Sequence, residues 1–222
     1  VKWVSAMKIE YRFQEDDASS KSIEELTEKL NEYKLSKVSV FYQHTKLFKK
    51  KLEDKNKLSS IIDFPFGGSD LSIRNKMVEN SIKWGANSIE LILPFHLLSN
   101  SSFASIKRDA ISHFELCKKN QIDISYVLDY RTFNYSTLYR VCKLLLRHEI
   151  NHIYLSTGYR IDDIYDHIIA IAMILKNVPD INITCSANIF TEKHLEVLYN
   201  SDIHSISVNS VASLEMADKF VS

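Results

Sequence analysis

Eight short runs rich in Ile, Val, Leu, Ser and Tyr recur along the chain, and segments with helical spacing of apolar residues separate them. The runs are residues 7–11, 38–41, 58–64, 88–93, 124–129, 152–156, 182–186 and 205–208. Their length and composition fit strands of a buried parallel sheet. Between them, SIEELTEKLNEYKL places Ile23, Leu26, Leu30 and Tyr33 on one helical face, and LSIRNKMVENSIKWG repeats the pattern with Ile73, Met77, Ile82 and Trp84. Asp70, Ser72, Ser136 and Thr191 are expected N-caps, and Gly85 an expected C-cap. Eight β-to-α alternations in 222 residues predict an α/β protein, a single-domain (β/α)8 TIM barrel over residues 1–222. The runner-up is an open doubly wound sheet. It is disfavoured because no GxGxxG follows the first run.

Lysine plus arginine equals aspartate plus glutamate at 28 each, which gives no support to nucleic-acid or membrane-surface binding. Cys117, Cys142 and Cys185 form no CxxC, so buried free thiols are expected rather than a disulfide framework or zinc site. No apolar run approaches a membrane span, and VKWVSAMKIE lacks the apolar stretch of a signal peptide, so a cytoplasmic setting is expected. Residues 1–6 are expected to be a disordered extension, with Met7 an alternative start. The lysine-rich stretch 46–57 is expected to be a solvated helix face and loop.

Several strand candidates carry polar residues among apolar ones: Glu90 in SIELIL, Ser125 and Asp129 in SYVLDY, Tyr154 and Ser156 in HIYLS, Thr184 and Ser186 in NITCS. Glu10 and Asp63 would complete a ring in the barrel mouth. Buried carboxylates are costly unless paired or protonated, so the pair Glu90 and Asp129 marks a candidate site or a structural polar network. No histidine spacing suits a metal, and no metal or cofactor is expected; His96 and His152 are expected at the surface or at strand ends. The loops FPFGGS and STGY could turn backbone N–H groups toward an anion.

These motifs, in this order, resemble the deoxyribose-phosphate aldolase family of class I aldolases. The residues that carry the likeness are Phe64-Pro65-Phe66-Gly67, Gly85-Ala86, Glu90, Pro94-Phe95 and the turn Ser156-Thr157-Gly158. The resemblance implies a barrel whose strand lysine forms a Schiff base just before that turn. At the matching position stands Tyr154, and a phenol cannot form an imine. The family's second lysine falls at Thr184, its strand-five lysine at Ser125, its acidic residue at Glu90 and its opening His-Thr at Tyr11-Arg12. Its Gly-Gly phosphate pair falls at Ala187-Asn188 and its serine pair at Asn209-Ser210, while Gly158 is kept. The chain has four glycines, where ordinary usage would give about 16.

No lysine is expected at an inward C-terminal strand end: Lys8 lies at the wrong end of its strand, and Lys46, Lys176 and Lys193 fall in loops or helices. The resulting expectation is a pseudoenzyme that binds a small phosphorylated or carboxylated ligand, or a protein partner, through the old mouth. Candidate ligand residues are Gly158, Tyr159, Arg160, Ser186, Asn188, Asn209 and Ser210. One alternative is different acid/base chemistry by Glu90 and Asp129, with Tyr154 or Tyr159 donating to an oxyanion and Arg131 and Arg160 holding an anion. Another is residual cleavage of 2-deoxyribose 5-phosphate to glyceraldehyde 3-phosphate and acetaldehyde. Tyr154 and Phe190 are expected to plug the mouth if no substrate enters. The resemblance also allows a homodimer.

Overall fold

The computed structural model describes residues 7–15, 17–160, 162–186 and 188–221. The expected extension at residues 1–6 lies outside the described residues. Eight parallel strands close into one barrel in sequence order: β1 (Lys8–Phe13), β2 (Lys37–Phe41), β3 (Leu58–Ile62), β4 (Ser88–Ile92), β5 (Asp123–Val127), β6 (His152–Tyr154), β7 (Asn182–Cys185) and β8 (Ser205–Val208). Helices α1 (Ser20–Leu30), α2 (Thr45–Lys51) and α3 (Leu71–Lys83) follow the first three strands. The fourth unit carries the short α4 (Phe95–Ser99) and α5 (Phe103–Lys119), and α6 (Tyr135–Leu146), α7 (Ile164–Asn177), α8 (Glu192–Tyr199) and α9 (Val211–Val221) complete the ring.

The strands run where expected, but several stop earlier. β5 ends at Val127 and β6 at Tyr154, so Asp129 and Ser156 belong to the loops beyond them. Capping corrects part of the sequence reading. Asn134, not Ser136, caps α6, its side chain accepting from Thr137 N at 2.9 Å. Ser72 lies inside α3, and Asp70 holds the N-cap position with extended backbone but no side-chain bond. Thr191 caps α8 as expected. Gly85 ends α3 at φ +92°, with Ala86 N bonded to Ser81 O at 3.0 Å and Gly85 N to Ile82 O at 2.9 Å. These two bonds satisfy carbonyls at the helix end and need a residue that tolerates the left-handed region.

Strand alternation divides the interior in two. Outward residues such as Ile9, Val38, Ile89, Ile153, Ile183 and Ile206 pack under the helices as the main core. Each such side chain contributes about 1.5–3 kcal/mol by leaving water. All three cysteines are buried in this shell. The inward side holds a separate apolar cluster of Phe41, Ile61, Ile92, Val127 and Tyr154 toward the C-terminal strand ends. Below it the lumen is polar. Among the described residues no helix is long and apolar enough to cross a membrane.

Candidate functional site

The lumen is organised around the Tyr154 hydroxyl. It donates to Glu10 Oε2 at 2.5 Å and lies 3.1 Å from Glu90 Oε1, while Lys37 Nζ donates to it at 2.8 Å. These residues come from β1, β2, β4 and β6, and β1, β4 and β6 are not neighbours in the sheet. Their side chains can therefore meet only inside the barrel. Lys37 Nζ is 3.8 Å from Glu10 and 3.9 Å from Glu90, and Arg12 Nη2 is 3.0 Å from Glu90 Oε2. The Arg12 guanidinium also sits 4.8 Å from the Tyr154 ring centre, within cation–π range. Two carboxylates thus face two cations, which is how buried charge is tolerated. Burial first, then Glu10 and Glu90, push the Tyr154 phenol well above its ordinary pKa.

Small hydroxyls extend the network downward. Ser39 donates to Glu90, Ser205 to Glu10 Oε1 at 2.8 Å, and Thr184 shares a 2.6 Å bond with Ser205. His152 Nε2 completes the path at 2.7 Å from Thr184 Oγ1. Thr184 therefore joins the Tyr154 network at one remove. Ser125 is buried, its hydroxyl 3.4 Å from Ile89 O.

Above Tyr154 the lumen is aromatic. Phe64 packs on Phe41 with ring centres 4.5 Å apart, and Phe64 and Phe95 flank the apolar cluster that contains Tyr154. Phe66 and Tyr159 form an edge contact at 5.2 Å on the rim, and Phe133 meets Phe95 at 5.3 Å. Glu90 is fully buried beneath this layer. Phe190, expected as part of the plug, is 71% exposed and lies beside His194 instead. The apolar surface that closes the mouth comes from β2, from the turn after β3 and from the start of α4.

The other expected site residues are placed around the rim, mostly in local bonds. Asp129 Oδ1 accepts from Arg131 N and Thr132 N, each at 3.1 Å, and from Thr132 Oγ1 at 3.0 Å. Asp129 and Glu90 therefore bond to separate partners. Arg131 pairs with Asp162 at 3.2 Å; burial raises the Asp162 pKa against the opposing effects of Ser156, Arg131 and Tyr130. In the turn after β6, Gly158 N donates to Ser156 Oγ at 3.1 Å and Tyr159 N to Thr157 Oγ1 at 3.3 Å. Gly158 takes φ +78°, and the Gln14 side chain packs where a Cβ would stand. Tyr159 and Arg160 are exposed. Ser186 donates to Ser156 O, exposed Asn209 donates to Asn188 at 2.8 Å, and Ser210 accepts from Ser213 N at the start of α9. Asp63 accepts from Ser69 and from Arg74, which also binds Asp109.

Lys37 is the main residue that sequence reasoning missed. In KVSVF the period-two alternation puts Lys37, Ser39 and Phe41 on one face, so a strand read from residue 37 rather than 38 would have found it. Ser205 and His152 follow the same logic on β8 and β6.

A closed eight-stranded parallel barrel with a polar lumen defines the class: the chain has the fold of the barrel aldolases. An aldolase designated QR15 superposes with a TM-score of 0.81 at 16% identity, over 100% of this chain and 96% of that one. A tetrameric deoxyribose phosphate aldolase from Aeropyrum pernix superposes at 0.77 and 16% identity, over 98% and 91%. At the sequence level, the deoxyribose-phosphate aldolase of Mycoplasmopsis pulmonis is 22% identical over 68% of this chain and 68% of its own length. That of Treponema denticola is 21% identical over 68% and 70%. No protein-family model matches the chain. In sequence and in fold the chain is similar, at low identity, to deoxyribose-phosphate aldolases.

Proposed function

We propose that this chain keeps the aldolase barrel without class I aldolase chemistry. The observation that carries this reading is Tyr154, which stands where the resemblance places the Schiff-base lysine and is bound to Glu10 and Lys37 in the lumen. Imine formation needs a free amine meeting a carbonyl. The amine nearest this position, Lys37, enters from the N-terminal end of β2 and is engaged by the phenol. An imine at Lys37 would have to break that bond and separate the ammonium from Glu10 and Glu90. The rim supports the same reading. Its turn amides are bonded to Ser156 and Thr157, and Asn188 is bonded to Asn209, so the old phosphate positions are internally satisfied. Nothing in these bonds favours acid/base catalysis by Glu90 with Asp129.

The names of the relatives supply the competing reading, cleavage of 2-deoxyribose 5-phosphate. A coupled assay that oxidises NADH as glyceraldehyde 3-phosphate is released decides between them. The proposal expects a rate at the level of a heat-killed control. Turnover that scales with the amount of this chain and disappears in Lys37→Met would overturn it.

A further inference from the structure

The N-terminal face of the barrel opens into a polar cavity of about 840 Å3 that the aldolase likeness does not use. The first residues of six strands line it, Lys8, Lys37, Ser88, Asp123, His152 and Asn182, with His204 just before β8. Acidic residues on its rim are already engaged, Asp123 by Lys57 at 3.0 Å and Glu149 by Lys118 at 3.3 Å. Lys8 Nζ instead lies 3.3 Å from His204 Nε2. An ammonium has no acceptor, so the ring nitrogen must accept and His204 is neutral there. The His152 and His204 rings are 5.2 Å apart. Burial and then Lys37 push His152 well below its ordinary pKa, while burial and then Lys8 push His204 down. Six lysines against three carboxylates, Glu10 beside Lys37 among them, line the cavity, so its net charge is positive.

Helix C-termini attract lysines by their partial negative charge, and Lys29, Lys118 and Lys176 occupy such last turns. Lys8 and Lys37 stand on strands, so that effect does not account for them. Lys37 is only 8% exposed, at the floor of the cavity. A polymer could touch the rim but could not reach it.

We propose that this cavity binds a small phosphate monoester, its phosphate held by Lys8, His204 and Asn182. Lysine is a point-charge phosphate ligand, and the cavity volume suits a sugar-phosphate-sized molecule. The site is independent of whether the opposite mouth is catalytic, so the assay above can fail without touching it.

The test is NMR of the full chain with isotope-labelled histidine, titrated at neutral pH and constant ionic strength with inorganic phosphate and then glycerol phosphate. The His152 and His204 side-chain signals should move saturably, with glycerol phosphate the tighter ligand. Lys8→Ser and His204→Ala should each weaken binding about tenfold. Both residues lie outside the Tyr154 cluster, so these variants keep the test open even if Lys37→Met fails to fold. Equal shifts with chloride would overturn the proposal, as would unchanged affinity in the Lys8→Ser/His204→Ala double variant. Shifts confined to His96 and His194 at the other end would do the same.

Discussion

The two ends of the barrel lumen differ although the same strands build them. On β2, Phe41 closes the upper end while Lys37, four residues earlier, faces the lower one. On β6, Tyr154 joins the apolar cluster while His152 opens toward the basic cavity. In (β/α)8 enzymes chemistry collects at the C-terminal strand ends, and the opposite face serves stability. Here the C-terminal end is packed with aromatic rings, and the polar groups that could meet a solute lie below. A shared fold thus leaves open which end of the barrel is used.

The largest expected effect comes from breaking the joint between the two ends. Glu90→Leu removes the acceptor for Arg12, Ser39 and Tyr154 and should cost about 3–5 kcal/mol in denaturant unfolding. A loss below about 1 kcal/mol would mean the lumen charges are independently satisfied. Phe41→Ala tests the upper end alone. It should cost about 3 kcal/mol by leaving a cavity beside Phe64, and a neutral result would mean the mouth is loosely filled. Tyr154→Phe strips only the hydroxyl that Glu10 and Lys37 share, and about 1–3 kcal/mol should follow.

The smallest effect is titration of the lower end. His152 and His204 are depressed below 6.5 in the folded chain, so the unfolded chain binds protons first. Their contribution is complete above that pH and is lost as the pH falls toward their lower folded values. Unfolding free energy should drop by about 1 kcal/mol by about pH 5.5 through the deeply buried His152, and by less through the half-exposed His204. His167, buried under the helices and pushed to about 3, carries the decline further into acid. His152→Gln should flatten the curve just below pH 6.5; an unaltered curve would place the acid sensitivity elsewhere.

The barrel was legible because strand periodicity survives in every unit, and residues 205–208 form β8 as read. Strand ends were harder. Asp129 and Ser156 continue an alternating pattern, yet they turn to cap their own loops, and only the backbone path decides that. The same holds for Asn134 against Ser136, two good capping types two residues apart. The Glu90 and Tyr154 positions were visible through the family likeness. Their meeting with Glu10 and Lys37 was not, because it depends on strand stagger across a closed sheet, which no local pattern records. The helix α9 was also missed, although VASLEMADKFV carries helical spacing.

The most direct test of the central claim is imine trapping. The intact chain is incubated with 2-deoxyribose 5-phosphate and borohydride beside an authentic class I aldolase, and both are weighed by intact-mass spectrometry. With Tyr154 where the resemblance places the lysine, and Lys37 bound to its hydroxyl, the account predicts an unshifted mass while the control gains an adduct. An adduct on this chain, mapped to Lys37 or any other lysine, would contradict it.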